Sequence, residues 1–562
     1  MQNPLDEKEI KPDYTIGLNS SSNTIVGEGE KHQTEASSRP SSESHKATVR
    51  GTPLELEAQI SDPTVEQPAP VVVPRAQRRG LLARFSFVAE VEEPKHYPRR
   101  IKWFITFVVA LAAVAAPMGS TIFFPSLLQV SRELHTTPTV TNLSVALYML
   151  SMSIFPLWWS SFSERFGRRS VYVVSFCLYL VFNILSALSK NIAMLVVMRM
   201  LSGGASASVQ AVGAGTIADV FEVRERGKAM GIFYLGPLMG PLFAPIIGGL
   251  LAERWGWRST MWFLVIYGSI VLAFLTFALP ETLKDRKPLV FDSEAKPDNR
   301  PELTRLNSRV SVRQNSRKWG IILKQFFIDP LKIVLNLRFP AVLITVYMAS
   351  IAFCSLYVLN VSIQATFAKA PYNFSTIEIG LSYIPNSVGY FISSILGGRW
   401  TDSIMAREAR KAGRYDDKGR LIYRPEDRMR ENAWVAAFLY PTALVCYGWT
   451  VDKGVYWVVP LIANFFFGIG SMLIFAVSTT MLTEFMPKKA SSGVAVNNFV
   501  RNILSCVGGI VAQPLIDAIG NGWLFTLLGL LATTSSVVIW AMRYYGPRWR
   551  KSMDEKMNAE KS

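Results

Sequence analysis

From Lys102 onward the chain is a train of apolar blocks near twenty residues long, separated by polar joints. A helix rises about 1.5 Å per residue, so roughly twenty apolar residues cross about 30 Å of hydrocarbon. The pattern predicts twelve spanning helices, near 102–124, 140–160, 170–188, 192–219, 229–251, 258–279, 339–360, 376–398, 432–451, 455–484, 490–516 and 522–543. Gly and Pro inside these blocks do not argue against helix, because packed neighbours satisfy the backbone groups they free.

The charged positions test this layout independently. With a cytosolic N-terminus, the loops after spans 2, 4, 6, 8 and 10 hold 31 Lys and Arg, and the alternate loops hold 6. Both tails are basic, which an odd number of spans would not allow if basic segments stay in the cytosol. The net charge of +17 is therefore mostly topology. It faces anionic lipid and calls for no nucleic-acid partner.

Residues 1–97 are rich in Ser, Thr, Glu and Pro and read as a disordered cytosolic tail, with Ser86 beside Arg84 as a candidate phosphorylation site. No early apolar run marks a cleaved signal. The long basic loop 280–338 divides the spans into two sets of six, 98–279 and 339–545, followed by a cytosolic tail, 546–562. Such a division is what a tandem duplication joined by a linker produces. A second sign is the loop after the second span of each set: Ser160 to Arg169 in the first and Gly397 to Asp402 in the second, each with an acid and a base. The expected fold is an all-α polytopic membrane protein of two six-helix bundles around a midplane site.

Enzyme chemistry finds little support. Cys177, Cys354, Cys446 and Cys506 lie within spans at no metal or disulfide spacing, and His32, His45, His96 and His135 are scattered over tail and loop positions. There is no phosphate-cradling loop ending in Gly-Lys-Ser/Thr, so direct use of ATP is not expected. No cofactor and no metal are expected.

The motifs are specific enough to carry a resemblance. The run Gly213-Ala214-Gly215-Thr216-Ile217-Ala218-Asp219 is followed by Arg226-Gly227-Lys228-Ala229-Met230-Gly231, by Gly236-Pro237 and Pro245, by Gly248-Gly249, by Trp257-Arg258 and by Pro280-Glu281-Thr282. From about Trp103 to Tyr545 the chain resembles the major facilitator superfamily. Within it, the chain looks most like the quinidine-resistance branch of the fungal twelve-spanner drug:proton antiporters, a neighbour of the dityrosine exporter. The resemblance implies alternating access driven by protons, export of small amphipathic molecules such as drugs and, as a second class, polyamines, a plasma-membrane location, and action as a monomer.

Residue by residue, it implies a gating relay of Glu164, Arg168, Asp219 and Arg226. The acid Glu164 is expected to cap a helix of the other half, and Arg168 to pair with Asp219. An anion at a helix N-terminus is stabilised by about 0.3–1 kcal/mol. Two departures stand out: Glu164 replaces the usual Asp, and Ser160 the usual Gly. Arg199, a third of the way into span 4, costs roughly 2.5–3.5 kcal/mol on insertion scales unless it faces a cavity or a partner. The family reading gives it a role in proton coupling, against the alternative of snorkelling toward the outer interface.

Span 5 repeats Pro237, Pro241 and Pro245 on one face among Gly236, Gly240 and Gly248. Glycines let a neighbouring helix approach closely, and the prolines make the span pliable. In the family this pattern goes with antiport. Arg501 falls near mid-membrane in span 11, beside Asn497 and Asn498. A coupling or packing role is preferred there to contact with an anionic substrate. Candidate cavity residues are Phe123, Tyr357, Asn360, Gln364, Tyr383, Phe466, Phe475 and Asn498, although aromatics at helical spacing more often pack than bind. No Asp or Glu sits at the centre of a span, and Asp219 is the best available proton carrier. Two other functions fit the same fold: a nutrient facilitator or symporter, disfavoured by span 5, and a non-transporting sensor.

Overall fold

The structure is a computed structural model that describes residues 71–284, 327–415, 421, 427, 429–485 and 490–559. Fourteen α-helices organise the described residues. They are α1 (Arg99–Thr121), α2 (Leu127–Glu133), α3 (Pro138–Phe166), α4 (Arg168–Ala187), α5 (Ile192–Ser206), α6 (Ser208–Val220), α7 (Val223–Trp255), α8 (Arg258–Phe277), α9 (Pro340–Phe367), α10 (Thr376–Leu381), α11 (Ile384–Lys411), α12 (Glu431–Asp452), α13 (Val458–Phe485) and α14 (Ala490–Ala559).

Ten segments among the described residues are long and apolar enough to cross a membrane. They match the expected spans with two differences. The eighth expected span is the short α10 followed by α11. That helix continues past the apolar block through Arg399, Asp402, Arg407 and Arg410, and it is not among the ten. Gly397 to Asp402 therefore lie inside a helix and form no loop. Expected spans 11 and 12 share one segment, Gly493–Met553, inside the 70-residue α14. Gly520 interrupts it with φ 76° and ψ 167°, a backbone conformation open to glycine.

Small residues decide how closely the helices pack. α7 lies along α1, α3 along α5, and α4 between α5 and α8; later in the chain, α14 packs on α9 and α12, and α13 on α11 and α12. The two groups meet where α3 touches α14 and α7 touches α10. Gly236, Gly240 and Gly248 of α7 face the backbone of α1, so a Cβ at 236 or 248 would run into the carbonyl oxygen of Ala110 or Ile122. With lipid on one side and protein on the other, close backbone approach replaces the hydrophobic drive that water supplies to soluble helices.

Of the tail expected to lack structure, residues 71–97 are ordered, and residues 1–70 lie outside the described residues. Val72 pairs with Val91 as an isolated bridge, and Glu90, almost fully buried, pairs with Arg79 at 2.6 Å. The Tyr97 hydroxyl donates to the Ala89 carbonyl at 2.8 Å and accepts from the Val91 amide. Burial pushes its ionisation above the ordinary tyrosine range, which keeps it a donor. Ser86, taken above as accessible to modification, is buried, and its hydroxyl donates to the Val88 carbonyl. The strap is tied to the helices by the Phe87 amide on the Phe277 carbonyl at 2.7 Å and by the Leu81 amide on Ser170 Oγ at 3.1 Å.

Candidate functional site

At one end of the first helix group, α3 turns into α4 at Gly167, whose φ of 95° suits glycine. The turn places Arg168 at the start of α4. Its Nε donates to Asp219 Oδ2 at 3.1 Å, and one Nη donates to Ser163 Oγ at 2.6 Å. A Cβ at Gly215 would press on this guanidinium at 2.8 Å, so glycine is needed where α6 passes. The Arg168 amide donates to Glu281 Oε1 at 2.9 Å, and the same oxygen accepts from the amides of Thr282 and Leu283. Glu281 is fully buried and puts an anion at the N-terminus of α4, where free amides and the helix dipole favour it.

Next door, buried Arg169 donates to the carbonyls of Leu81 and Leu82 in the strap and to those of Thr276 and Leu279 at the end of α8. One guanidinium thus ties the strap, α4 and α8 together. Glu164 is half-buried at the end of α3, and residues 486–489, which precede α14, lie outside the described residues. Arg226 is in the first turn of α7, with its side chain outside the described residues.

Arg199 does not snorkel. It is buried inside the bundle, donating to the Gly119 carbonyl at 2.9 Å and the Ser144 carbonyl at 3.4 Å, with Met261 Sδ at 3.6 Å. Its guanidinium lies 4.3 Å from the Phe123 ring centre and 5.1 Å from that of Tyr148. Among the described residues no carboxylate pairs with it. The Tyr148 hydroxyl bonds to Ser206 Oγ and donates to the Ala116 carbonyl, both at 3.1 Å, which joins α3 to α1 and α5 around the arginine.

Arg501 has different surroundings. It is half-buried near the middle of a span, with its guanidinium 4.0 Å from the Phe353 ring centre and 4.9 Å from that of Phe475. Its Nε has no hydrogen-bond partner. The hydroxyls of Tyr234, Tyr357 and Tyr390 lie within electrostatic reach. Tyr234 is 41 % exposed, in a run with exposed Ile232 and Leu235 on α7. One turn earlier on the helix, Asn497 is fully buried with neither amide atom paired. Such orphaned groups are rare in proteins and mark places where water or a ligand completes the bonding.

The other candidate residues separate into three groups. Phe123 is buried against Trp257 and Arg199, within the first helix group. Tyr357 bonds through its hydroxyl to Ser120 Oγ at 3.3 Å and packs on Phe124 and Phe353, and Tyr383 stacks on Phe124 and donates to the Asn360 carbonyl at 2.8 Å. Tyr357 and Tyr383 thus line the seam between the two helix groups, while Gln364 and Asn360 are buried on α9, Asn360 with its Oδ1 unpaired. Asn498 is half-buried beside Arg501. Phe466 is a correction. It shares an exposed apolar stripe with Val459 and Ile462 on α13, which gives it a lipid-facing position and no part in a cavity.

Where α7 meets α10 the seam is closed. A Cβ at Gly380 of α10 would meet the Pro245 carbonyl at 2.7 Å, and Glu253 Oε2 accepts the Ile377 amide at 2.7 Å in the first turn of α10. Above this closure is a vestibule of ≈ 560 Å³ whose lining includes Gln129, Arg132, Glu133 and Glu253. Glu133 also accepts from Trp257 Nε1 at 2.7 Å and from Arg258, which anchors the start of α8.

The sequence model of the Major Facilitator Superfamily matches residues 109–509, a stretch running through both helix groups. The chain belongs to this superfamily. An MFS antiporter of Candida albicans, QDR3, is 37 % identical, covering 86 % of this chain and 83 % of that protein. Quinidine resistance protein 3 of Saccharomyces cerevisiae is 32 % identical, covering 93 % and 94 %. Citrate exporter 1 of Aspergillus niger is 29 % identical, covering 88 % and 96 %. The crystal structure of a D-xylose–proton symporter superposes with a TM-score of 0.55 at 15 % identity, covering 78 % of this chain and 97 % of that one, a likeness of fold.

This major facilitator protein is a multi-pass membrane transporter. Sequence reasoning missed several residues that its geometry brings forward. Phe353, Tyr234 and Tyr390 around Arg501 looked like ordinary span aromatics, and only packing places them on a cation. Glu281 was visible as part of a motif, and its place at the last apolar-to-polar boundary of the first six spans was the available signal for a capping role. The ion pairs Arg407–Glu431 and Arg430–Glu408, both at 2.8 Å, join α11 to α12 and left no trace in the spacing.

Proposed function

We propose that the protein is a proton-coupled antiporter that exports small amphipathic organic compounds across the plasma membrane by alternating access, working as a monomer. On this reading it has twelve spans in two six-helix halves, with both termini in the cytosol. The observation that carries the proposal is the pair of mid-membrane arginines in unlike surroundings. Arg501 stands half-buried against the rings of Phe353 and Phe475 with its Nε unpaired, and Arg199 is held in the packed interior by carbonyls and rings. Neither costly cation has a carboxylate partner among the described residues, so each is retained for something other than an ion pair. The printed names of the Candida and Saccharomyces relatives, an antiporter and a quinidine-resistance protein, support the drug:proton class.

Arg199 fits a coupling role because its bonds run to carbonyls of α1 and α3, helices that flank the route between the two faces. Asp219 is the proton carrier in this proposal, with the Arg168 pair opening as the cytosolic mouth rearranges. The test is uptake into inside-out vesicles with an acidic interior, following radiolabelled quinidine and spermine separately. Wild type is compared with Arg199→Ala at matched membrane abundance. Uptake that collapses with an uncoupler and with the substitution supports the whole proposal. Uncoupler-sensitive uptake that survives the substitution removes Arg199 from coupling, and gradient-independent uptake removes the antiport mechanism.

A further inference from the structure

The space beside Arg501 bears on what the protein carries, and the inference rests on the transporter reading above. We infer that it is a site for organic anions: Arg501 receives a carboxylate or sulfonate of the cargo, and the surrounding rings receive its apolar body. Three observations converge on this.

The first is the contrast between two arginines at similar depth. The guanidinium of Arg199 is hydrogen-bonded to two backbone carbonyls. That of Arg501 touches the ring faces of Phe353 and Phe475, its Nε is unpaired, and the groups within electrostatic reach of it are tyrosines. Ring faces attract a guanidinium but accept no hydrogen bond in the plane of its fork. An arginine stays charged at any relevant pH, and its planar donors match a carboxylate in a two-point bond. The in-plane donors of Arg501 are thus available to an anion.

The second is the polar company on the same helix. Asn497 and Asn498 precede Arg501 by about one helical turn, which puts them on its face of α14. Asn497 is fully buried, with both amide atoms unpaired. An amide beside a bound carboxylate supplies a donor to the oxygen that Arg501 leaves free.

The third is access. Arg501 lies mid-span yet is only half-buried, and Tyr234 of α7, within electrostatic reach of it, is 41 % exposed, so the site is open to solvent from the α7 side. A protonated amine entering it meets an uncompensated positive charge, with the ring faces of Phe353 and Phe475 already occupied by Arg501. Electrostatics in this low-dielectric space favour anions over cations at Arg501, so protonated amines such as quinidine and spermine are carried without contact to it.

The test uses the purified full-length chain in lipid nanodiscs and three ligands of one shape: 4-phenylbutanoate, 4-phenylbutanamide and 4-phenylbutylamine. Calorimetric titration is expected to give at least ten-fold tighter binding of the carboxylate than of the amine. Arg501→Gln removes that preference, and Arg501→Lys keeps its sign at reduced size. Should Arg501→Gln fail to fold, wild-type protein decides. Phenylglyoxal labelling of Arg501, read by peptide mass spectrometry, slows at least three-fold with the carboxylate and not with the amine. Equal affinities, no carboxylate binding up to millimolar concentration, unprotected Arg501, or a preference that survives Arg501→Gln overturns the inference. Because binding needs no gradient, intact anion preference without proton-driven uptake sinks the antiport proposal alone. Proton-driven uptake with equal binding of carboxylate and amine sinks this inference alone.

Discussion

The contact of α7 with α1 yields a graded prediction within a single helix. Gly231 has nothing within 4 Å of a built Cβ, so Gly231→Ala gains helix propensity at no steric cost. That gain is at most about 1 kcal/mol. At Gly240 the new methyl stands 2.8 Å from the Met118 nitrogen and 2.9 Å from Pro117 Cβ. Carbon contacts relax near 3.5–4.0 Å, so α7 must retreat by about 0.7–1 Å there. At Gly248 the overlap is deeper and falls on the Ile122 carbonyl oxygen, a backbone atom that cannot rotate away. Overpacking of this kind costs about 1–3 kcal/mol, with Gly248 expected near the top of the range and Gly240 in the lower half. After the propensity gain, the expected net effects are about +1 kcal/mol for Gly231→Ala, close to zero or mildly destabilising for Gly240→Ala, and about −2 kcal/mol for Gly248→Ala.

The assay is thermal unfolding of the purified protein in one detergent, followed by fluorescence-detected size exclusion, with all three variants run beside wild type. Ranking is the readout, since absolute free energies are ill-defined for a protein of several helix groups. If Gly248→Ala melts with or above Gly231→Ala, close backbone packing does not hold α7 on α1 and the reasoning is wrong.

Three other outcomes follow from the contacts of Arg169, Glu281 and Gly380. Arg169→Ala removes the donor to four carbonyls at once, and the strap 71–97 should lose amide protection by an order of magnitude or more in hydrogen exchange, with the span interiors unchanged; unaltered protection of residues 79–91 would refute the tie. Glu281→Ala strips the acceptor from three backbone amides, each buried, and should cost about 2–3 kcal/mol of stability, with Glu281→Asp recovering little because the shorter acid no longer reaches the α4 terminus. Gly380→Ala places a methyl against the Pro245 carbonyl where α7 meets α10, so cysteine labelling at the seam should rise several-fold with little loss of melting temperature; a drop in stability without increased labelling would mean the contact is only packing.

Much of the architecture was legible in the pattern of residues because membrane insertion is a local requirement. Each apolar block has to satisfy its own backbone in hydrocarbon, so length and hydropathy mark it without reference to its neighbours. The glycine face of span 5 was legible from short-range spacing alone, whereas the pairing of Arg168 with Asp219, 51 residues apart, was legible only through the family resemblance. The helix bounds followed less closely: α3 and α9 run past their expected ends to Phe166 and Phe367, α7 starts early at Val223, α11 continues through Lys411, and one residue, Gly520, is the whole boundary between two helices.

Tertiary structure decided what sequence spacing does not encode. Arg199 and Arg501 are the same residue type at similar depth, and periodicity gave no way to tell them apart. Packing placed carbonyls of α1 and α3 on the first, and the rings of α9 and α13 on the second. Phe466 and Phe475 are both aromatics of one helix, yet only the three-dimensional neighbours show that the first faces outward and the second meets a cation. The strap was read as unstructured because its own apolar content is low. Its order comes from bonds to Arg169, Ser170 and the end of α8, partners distant in sequence and close only after folding. Insertion is settled within each segment, whereas the surroundings of a buried charge are settled between segments.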